Sequence, residues 1–541
     1  MSYFTTKNSI FIVPSRVHVE EFKKIDVFIS ILEKSGIGEI IEKERKKNKN
    51  SNAGRIGYNP YNLMATVIYC FAMYQGSLRE IESLCKFDLR VIYLMEQGMP
   101  DHTVICDFIN KYIVPNTYAI FSKITKVFIE YSTINIDNQY IDGTKLEANA
   151  NKYKFVWKPT TFHKKLDEKI KIFIKDINFI FTETRLIKAH EFRDILNNYA
   201  RSEKIDKFNI PTGIGSRPTK PEKNYKIGYS HLLKLLDYEE KGRICGENRN
   251  SYYKTDFDAT AMALKTDYYS GHGSNMHAAY NVQLMVSSGI ITMFGVYQDR
   301  TDYHTLIPLL TKYKECYDNY PINIVGDSGY GIYCNYKFIR ENSIGNYLKF
   351  QQWNGESSGK RPQLFFLDEK GNVTCLNNKK GKQVNFENTH QRNKDGKLFI
   401  FKGCKNCEYV HKCKKNLKRK SDNFRRIEII SDYEILKKEA RENLLSPFGI
   451  EIRINRSIQA EGTFGQIKQN MRYVRIRRRG IDRVTTEIML ICLGRNVRKL
   501  FVVLSGGKIK ENYWEIPENL TAETFPKIKP KKKKTAKKLI T

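Results

Sequence analysis

The chain has 541 residues and a formal net charge of +33 at pH 7, from 92 lysines and arginines against 59 aspartates and glutamates. This excess goes far beyond what solubility requires and favours a polyanionic partner, above all nucleic acid. A lysine-rich codon bias that raises basicity throughout the chain is the plainer alternative. The sequence has no apolar run long enough to span a membrane and no signal-peptide layout at its start, so we expect a cytoplasmic protein without a membrane partner.

The length predicts about three or four structural units. The first of these, residues 1–130, is predicted to be helical. Leu63, Val67 and Phe71 recur at helical spacing, and Gly76-Ser77 then separates this helix from the next. A third helix is expected after the capping residue Asp101. This arrangement resembles a helix-turn-helix, which either binds DNA or serves as a scaffold.

An α/β core is predicted to begin at residue 131 and to run to residue 353. Ile134, Ile136 and Ile141 belong to an alternating, strand-like run that we expect to end at Asp142-Gly143. Residues 151–250 then interrupt the core with lysine-rich helices. One of them carries an apolar stripe that includes Leu166 and Ile170.

The strands are predicted to resume as a hairpin, with strands at 280–286 and 290–296 joined by a short turn. Asp302 is expected to cap the following helix, which ends near Lys314. A buried strand over 322–326 should then end at Asp327. A helix over 334–342 and a strand over 346–350 complete a mixed sheet.

Three further segments follow this first part of the core. Residues 354–425 are rich in glycine, asparagine and lysine, and are predicted to be a small insertion, in the form of a zinc ribbon if metal is bound. Residues 426–505 should complete the core and include a helix that carries Glu461. Residues 506–541 form a basic tail, whose lysine run at 531–534 is expected to be a disordered arm.

Three acidic residues stand on three distant elements of this basic chain, namely Asp142, Asp327 and Glu461. Two divalent cations about 4 Å apart need carboxylates that converge from different elements. Mg2+ (or Mn2+) prefers oxygen ligands and accepts the remainder from water and phosphate. Each acid alone is weak evidence, because a strand-end aspartate is more often a turn former. Together they predict a metal-dependent site that acts on nucleic acid.

Basic residues follow Glu461 closely. Lys468 lies seven residues later, about two helical turns along the same face, where it can hold a phosphate, although a solvated surface lysine is the plainer interpretation. Arginines alternate with apolar residues further on, as expected of a surface that follows the DNA backbone. The predicted DNA-binding residues are Arg456, Arg472, Arg475, Arg477, Arg478 and Arg479.

A cysteine cluster lies in the predicted insertion. Cys404, Cys407 and Cys413 form a C-x2-C-x5-C pattern, and Cys375 precedes them by 29 positions. Four thiolates can hold a structural Zn2+ in a loop-rich segment. His411 is an alternative ligand, and four unligated thiols are the competing interpretation.

Short motifs along nearly the whole chain resemble those of bacterial insertion-sequence transposases of the DDE type. The closest resemblance is to the group numbered eleven-eighty-two, with an InsH-like N-terminal domain. The motifs that carry it occupy residues 57–60, 101–103, 142–153, 280–283, 327–331 and 456–462 and occur in the family's order. The chain departs from the family at Phe257, where a proline is usual. Its cysteine pattern is one C-x-x step shorter than in many relatives, which weakens the zinc prediction.

This resemblance implies an RNase H-like core, a helical N-terminal DNA-binding domain, and Asp142, Asp327 and Glu461 as the metal-binding triad. It implies a chain that cleaves double-stranded DNA at terminal inverted repeats and joins the freed ends to target DNA, acting as a homodimer or larger assembly. Two alternatives use the same residues. One is a decayed or domesticated transposase that binds DNA without cutting, and the other is an RNase H-like nuclease without strand transfer.

Overall fold

The structure is a computed structural model that describes residues 19–47, 57–211, 215, 217–247, 249–264, 275–357, 363–368, 370–386, 394–414 and 422–516. The lysine run at 531–534 lies outside the described residues. Among the helices in these ranges, none combines the length and the apolar character that a membrane crossing requires.

Within the described ranges, seven α-helices precede the first strand. Side-chain caps fix several of their starts: Asn59 accepts a hydrogen bond from the Tyr61 N–H, Ser77 forms a capping box with Glu80, and Asp101 caps as the sequence predicts. The helices are α1 Val19–Lys34, α2 Ile37–Lys47, α3 Pro60–Met73, α4 Leu78–Phe87, α5 Leu89–Leu94, α6 His102–Phe108 and α7 Thr117–Ser132.

A long strand and a helical insertion come next. Strand β1 spans Asn138–Glu147, so the prediction that it ends at Asp142-Gly143 is wrong. The strand continues because its partner strand pairs with it as far as Glu147, opposite Ala279. The insertion holds β2 Phe155–Trp157, α8 Thr160–Asp176, α9 Ala189–Ser202, α10 Lys220–Cys245 and β3 Ser251–Tyr253. Its helices share a small core of their own, which includes the predicted Leu166 and Ile170.

The central sheet is mixed, as predicted. It contains β1 together with β4 Thr260–Ala263, β5 Met276–Ser287, β6 Ile290–Tyr297, β7 Asn323–Gly331 and β8 Gly345–Phe350. The order is β4-β5-β1-β7-β8, with β6 also paired to β5. The β1–β7 and β7–β8 pairs are parallel, and the others are antiparallel. Ser288 and Gly289 have positive φ and form the predicted turn of the β5–β6 hairpin.

Helices cover both faces of this sheet. On one face, α11 Leu306–Tyr317 and α12 Tyr333–Glu341 pack on residues such as Ile141 and Ile324. The short helix α13 Trp353–Ser357 follows β8. The insertion after it contains β9 Phe365–Leu367, β10 Val373–Cys375, β11 Lys382–Val384, β12 Lys397–Lys402, α14 Val410–Cys413 and β13 Phe424–Ile429.

The chain then returns to the core through α15 Ser431–Leu445, α16 Pro447–Arg456, α17 Gly462–Gly465 and α18 Ile481–Leu504. Two π-helical turns, Ser457–Glu461 and Gln466–Asn470, flank α17. Helix α18 covers the other face of the sheet, and α3 packs against it so closely that every residue from Tyr61 to Ala72 is buried. Helix α3 is therefore a scaffold helix with no free side to offer to a DNA groove.

Candidate active site

Asp142 and Asp327 lie on neighbouring parallel strands at the point where the sheet opens. The β1–β7 pairing ends at Tyr140 and Val325, and the β7–β8 pairing is interrupted after Gly326. Both aspartates follow directly, where the strands separate. Their side chains line a cleft of about 870 Å³, the central cleft, which Glu461 and Lys468 also line.

Glu461 reaches this cleft from the π-helical turn that follows α16. The neighbouring Gln459 is buried and accepts a hydrogen bond from the Gly289 N–H at 2.9 Å, which fixes this turn to the β5–β6 hairpin. Such π-turns occur often at functional sites. The Glu461 side chain itself is 57% exposed, which leaves its carboxylate accessible from the cleft.

Arg456 connects the acidic side chains. Its Nη2 lies 2.9 Å from Asp142 Oδ1, and its Nη1 lies 3.4 Å from Glu461 Oε1. Its Nε donates to the backbone carbonyl of Ile141 at 3.3 Å. Because the Arg456 side chain is only 6% exposed, it acts here as a buried counterion rather than as a surface contact for DNA.

The electrostatic state of Asp142 reflects these neighbours. Burial raises the pKa of Asp142 to about 6, and the negative charges of Asp327 and Glu461 act in the same direction, whereas the Arg456 guanidinium opposes them. On the adjoining strand β8, burial lowers the pKa of Lys349, again with Arg456 nearby. The cleft therefore holds a partly buried carboxylate that favours a neighbouring positive charge.

No group of three or more His, Cys, Asp or Glu side chains within the described ranges is arranged to hold a metal ion. In the central cleft the reason is physical, since the Arg456 guanidinium takes the place between Asp142 and Glu461. A cationic group bound by two of the three acids shows that these side chains fit a positive charge. Oxygen donors from three elements also match the ligand chemistry of Mg2+ and Mn2+.

Asp302 also lines the cleft, and this position was not predicted from the sequence. The prediction that it caps the following helix is wrong, because Thr305 occupies the N-cap position of α11. The Asp302 Oδ1 atom instead accepts hydrogen bonds from Asn281 Nδ2 at 2.8 Å and Gln283 Nε2 at 2.7 Å. The sequence did contain a pattern that indicates this contact. Asn281 and Gln283 are two residues apart in a strand, so their side chains lie on the same face of β5.

Asp302 and Asp327 also approach one another. A Cβ atom added to Gly329 would lie 3.0 Å from Asp327 Oδ1 and 3.2 Å from Asp302 Oδ2. The glycine thus leaves room for both carboxylates at one end of the cleft. The Gly329 N–H donates to Asp327 Oδ1 at 2.8 Å, which orients that carboxylate.

The basic residues predicted after Glu461 differ in their contacts and in their exposure. Lys468 lines the cleft and donates to Thr144 Oγ1 at 2.5 Å. Arg475 Nε lies 3.6 Å from Glu147 Oε1, and Arg477 Nη1 donates to the Gln75 carbonyl at 2.6 Å.

The other arginines of this run differ in exposure. Burial lowers the pKa of Arg478, so that side chain faces the protein. Arg472 and Arg479 are exposed. These two present the most accessible positive charge along the predicted DNA track.

The four predicted zinc ligands, Cys375, Cys404, Cys407 and Cys413, line one small cavity of about 30 Å³ between β10 and α14. Burial raises the pKa of Cys404 and of Cys413, and the neighbouring cysteines contribute to both shifts. In the described geometry they do not form a ligand set. The fold therefore brings the four thiols together without arranging them around an ion.

Residues 374–501 match a family model described as a transposase DDE domain. The matched segment contains Arg456, Glu461 and Lys468, whereas Asp142 and Asp327 lie upstream of it. Neither the comparison with curated proteins nor that with solved structures gave a match. The family match supports a DDE transposase, an enzyme class that generally uses divalent metals and acts on DNA.

Replacement of Arg456 by alanine should lower the melting temperature of the metal-free protein. Removing one partner of a buried ion pair costs on the order of 3 kcal/mol, because the remaining carboxylate is left uncompensated. Mg2+ should raise the melting temperature of Arg456→Ala more than that of the parent chain, since no guanidinium has to be displaced. Thermal melts with and without MgCl2 measure both effects.

The double variant Asp142→Asn/Arg456→Ala is the matched control for this experiment. It removes the uncompensated charge, so it should be less destabilised than the sum of the two single variants. Strict additivity, or an Arg456→Ala melting temperature equal to that of the parent chain, would contradict the counterion role.

Proposed function

We propose that this chain is a DDE transposase that cleaves DNA at the ends of an insertion sequence and joins those ends to target DNA. One observation carries the proposal: Asp142, Asp327 and Glu461, far apart in sequence and on three different elements, line one cleft in a strongly basic chain. The family match over the Glu461 segment supports it. The mixed sheet with helices on both faces is consistent with an RNase H-like core, and the motifs favour the group numbered eleven-eighty-two.

The reaction proceeds in two steps. Water attacks a phosphodiester at the element's end and releases a 3′-hydroxyl, which then attacks a phosphodiester of the target and displaces its 3′-oxygen. Bound Mg2+ or Mn2+ would activate the attacking oxygen and stabilise the leaving one. Asp142, Asp327 and Glu461 would hold these cations, because their carboxylates line the same cleft. No covalent bond between protein and DNA is required.

The residues around the acids have distinct roles in this proposal. Asp302, held by two amide side chains, adds another carboxyl group beside Asp327. Lys468 extends over the cleft wall at Thr144 and is placed to hold a phosphate oxygen. With a cation held by Asp142 and Glu461, the two Nη atoms of Arg456 would lose these carboxylate acceptors and could meet a DNA phosphate, while Nε keeps the Ile141 carbonyl. Such an exchange would reconcile its buried position with its predicted contact to DNA.

DNA would enter along the exposed arginines next to the central cleft. Two further concavities, of about 290 Å³ and 460 Å³, share lining residues with it: Val474 lines the first, and Glu147 the second. Arg472 lines one of them and Arg479 the other. The three cavities thus share lining residues, and the exposed side chains of Arg472 and Arg479 add positive charge along them.

A second candidate function is a DNA-binding protein that no longer cuts. The observation that favours it is the Arg456 guanidinium between Asp142 and Glu461, which must be displaced before a cation can bind both acids. A plasmid that carries the element's ends distinguishes the candidates. Mg2+-dependent nicking at those ends supports an enzyme, and joined products separate a transposase from an RNase H-like nuclease.

Alanine at Asp142, Asp327 or Glu461 should abolish Mg2+-dependent cleavage, because each acid is proposed to hold metal. DNA affinity should remain largely intact, since none of these groups contacts the duplex. Gel analysis of plasmid nicking and fluorescence anisotropy measure the two properties. Asp318→Ala is the matched control, since Asp318 is 84% exposed and distant in the fold. Cleavage that persists in any of the three variants would remove that residue from the triad.

Alanine at both Arg472 and Arg479 should weaken DNA binding and flatten its dependence on salt. Each lost phosphate contact lowers the log-log slope by about 0.9, so two contacts should lower it by roughly 1.8. Titrations at several salt concentrations give this slope.

Arg201→Ala/Arg243→Ala, two exposed arginines of the helical insertion, removes the same charge from another surface and should leave the slope unchanged. Equal slopes for both double variants would contradict the proposed DNA path.

We further propose that Cys375, Cys404, Cys407 and Cys413 bind one structural Zn2+ ion, because the fold gathers all four around one small cavity. Elemental analysis of the purified chain should give about one zinc per chain. Cys404→Ser/Cys413→Ser should lose it, whereas Cys334→Ser, at an exposed cysteine, should retain it. Protein that contains no zinc after purification without chelator would refute this site.

A further inference from the structure

We propose that a ridge of aromatic and lysine side chains beside the central cleft binds unpaired bases of the DNA substrate. This inference rests on the proposed function, because it assigns a further contact to the same DNA. The ridge follows β1 directly in the chain and comprises Lys152, Tyr153, Lys154, Phe155, Trp157 and Lys158. We call it the aromatic ridge.

The exposure of its aromatic side chains is the first observation. Tyr153 is 80% exposed, Phe155 46% and Trp157 47%. Three large rings within five residues thus stand in solvent, although aromatic residues normally supply a core or an interface. These exposed rings form an apolar surface that a binding partner would cover.

Backbone pairing fixes these rings in one direction. Strand β2 pairs with β3, with Phe155 opposite Tyr253 and Trp157 opposite Ser251. Since side chains alternate along a strand, Phe155 and Trp157 project from the same face. Their rings are 5.8 Å apart in an edge-to-face arrangement with an interplanar angle of 79°. The two-stranded sheet therefore presents a preformed aromatic surface.

Positive charge is interleaved with the rings. Lys152, Lys154 and Lys158 alternate with the aromatic positions, and the Arg300 guanidinium lies over the Trp157 ring at 5.2 Å from its centroid. A basic groove combined with stacking side chains is the usual means of binding single-stranded nucleic acid. The positive charge of these side chains favours a nucleic acid strand, rather than an apolar protein segment, as the ligand.

The location of the ridge relates it to the cleft. Strand β1 continues from Asp142 to its end at Glu147. Beyond it, the Asn149 side chain donates to the Arg477 carbonyl at 2.7 Å, and the Asn149 carbonyl accepts from Arg479 Nε at 2.7 Å. Lys152 and Tyr153 line the same concavity as Arg479. At about 3.3 Å per residue, the stretch of β1 from Asp142 to Glu147 spans roughly 17 Å, and the ridge follows beyond its end.

From this position the ridge meets DNA that flanks the scissile phosphate rather than that phosphate itself. The chemistry of the ridge also defines the form of this DNA. In a duplex each base face is covered by its neighbours, so an aromatic side chain can stack only on a base that is unpaired or flipped out. The expected ligand is therefore a strand with unpaired bases next to the cleavage site.

The test uses the full chain in buffer without Mg2+, Mn2+ or chelator, so that binding is measured apart from cleavage and the proposed structural zinc is kept. The probes are a fluorescein-labelled blunt duplex and the same duplex with a single-stranded extension. Phe155→Ala/Trp157→Ala should weaken binding of the extended duplex roughly 5- to 150-fold and leave the affinity for the blunt duplex unchanged. Trp157→Phe, which keeps a stacking ring, should bind the extended duplex nearly as the parent does. Phe208→Ala, at a 96% exposed ring near Lys204 and Lys207, is the matched control and should have no effect.

Equal losses on both probes, or no loss on either, would overturn the proposal. A fluorescence measurement guards against misfolded variants: oligo-dT should quench tryptophan emission of the parent chain, and Trp157→Phe should remove that quenching. The absence of quenching in the parent would also overturn the proposal. Plasmid nicking by the parent in Mg2+ tests the proposed function separately. A chain that nicks DNA but binds the two probes equally would contradict only the proposed role of the aromatic ridge.

Discussion

The ion pairs of Arg456 with Asp142 and Glu461 are the interaction on which the candidate site depends. The pair with Asp142 connects the central sheet to the returning C-terminal helices across more than three hundred residues of sequence. Both pairs place a buried positive charge among several acids. Without such a charge, Asp142 and its acidic neighbours would repel one another in a partly desolvated cleft. In the proposed function, a divalent cation would meet the same carboxylates that the guanidinium now contacts.

The sheet determines where this interaction forms. Parallel pairing of β1 with β7 stops at Tyr140 and Val325, and the separated strands leave Asp142 and Asp327 on the walls of one opening. Ligand sites in open α/β sheets commonly lie beyond the carboxyl ends of parallel strands. On the antiparallel side, β5 contributes Asn281 and Gln283, which hold Asp302 at the same opening. β1 then continues past the cleft and leads into the aromatic ridge, so one strand connects the proposed chemistry with the proposed DNA contact.

Much of the fold could be predicted from local patterns. Three features could be predicted because each depends on residues close together in sequence. They are the Asp101 cap, the β5–β6 hairpin at Ser288-Gly289 and the apolar stripe of α8. The errors concern long-range partners. β1 extends past Asp142 because β5 pairs with it, and Asp302 leaves the α11 cap because two amides of β5 bind it. The buried role of Arg456 and the burial of α3 under α18 likewise depend on elements hundreds of residues apart. The three acids were predicted from motifs and line one cleft. Their role as metal ligands, the zinc ligands and the DNA track remain predictions.

In the proposed function, Asp142, Asp327 and Glu461 hold divalent cations in one cleft. Replacing Mg2+ with Fe2+ tests this, because hydroxyl radicals generated at the bound ion cut the polypeptide nearby and the cuts can be mapped. We expect cuts near all three residues, which lie on separate elements, and we expect excess Mg2+ to suppress the three cuts together. Cuts confined to one of these positions, or cuts elsewhere that Mg2+ does not suppress, would contradict a shared cation site in the central cleft.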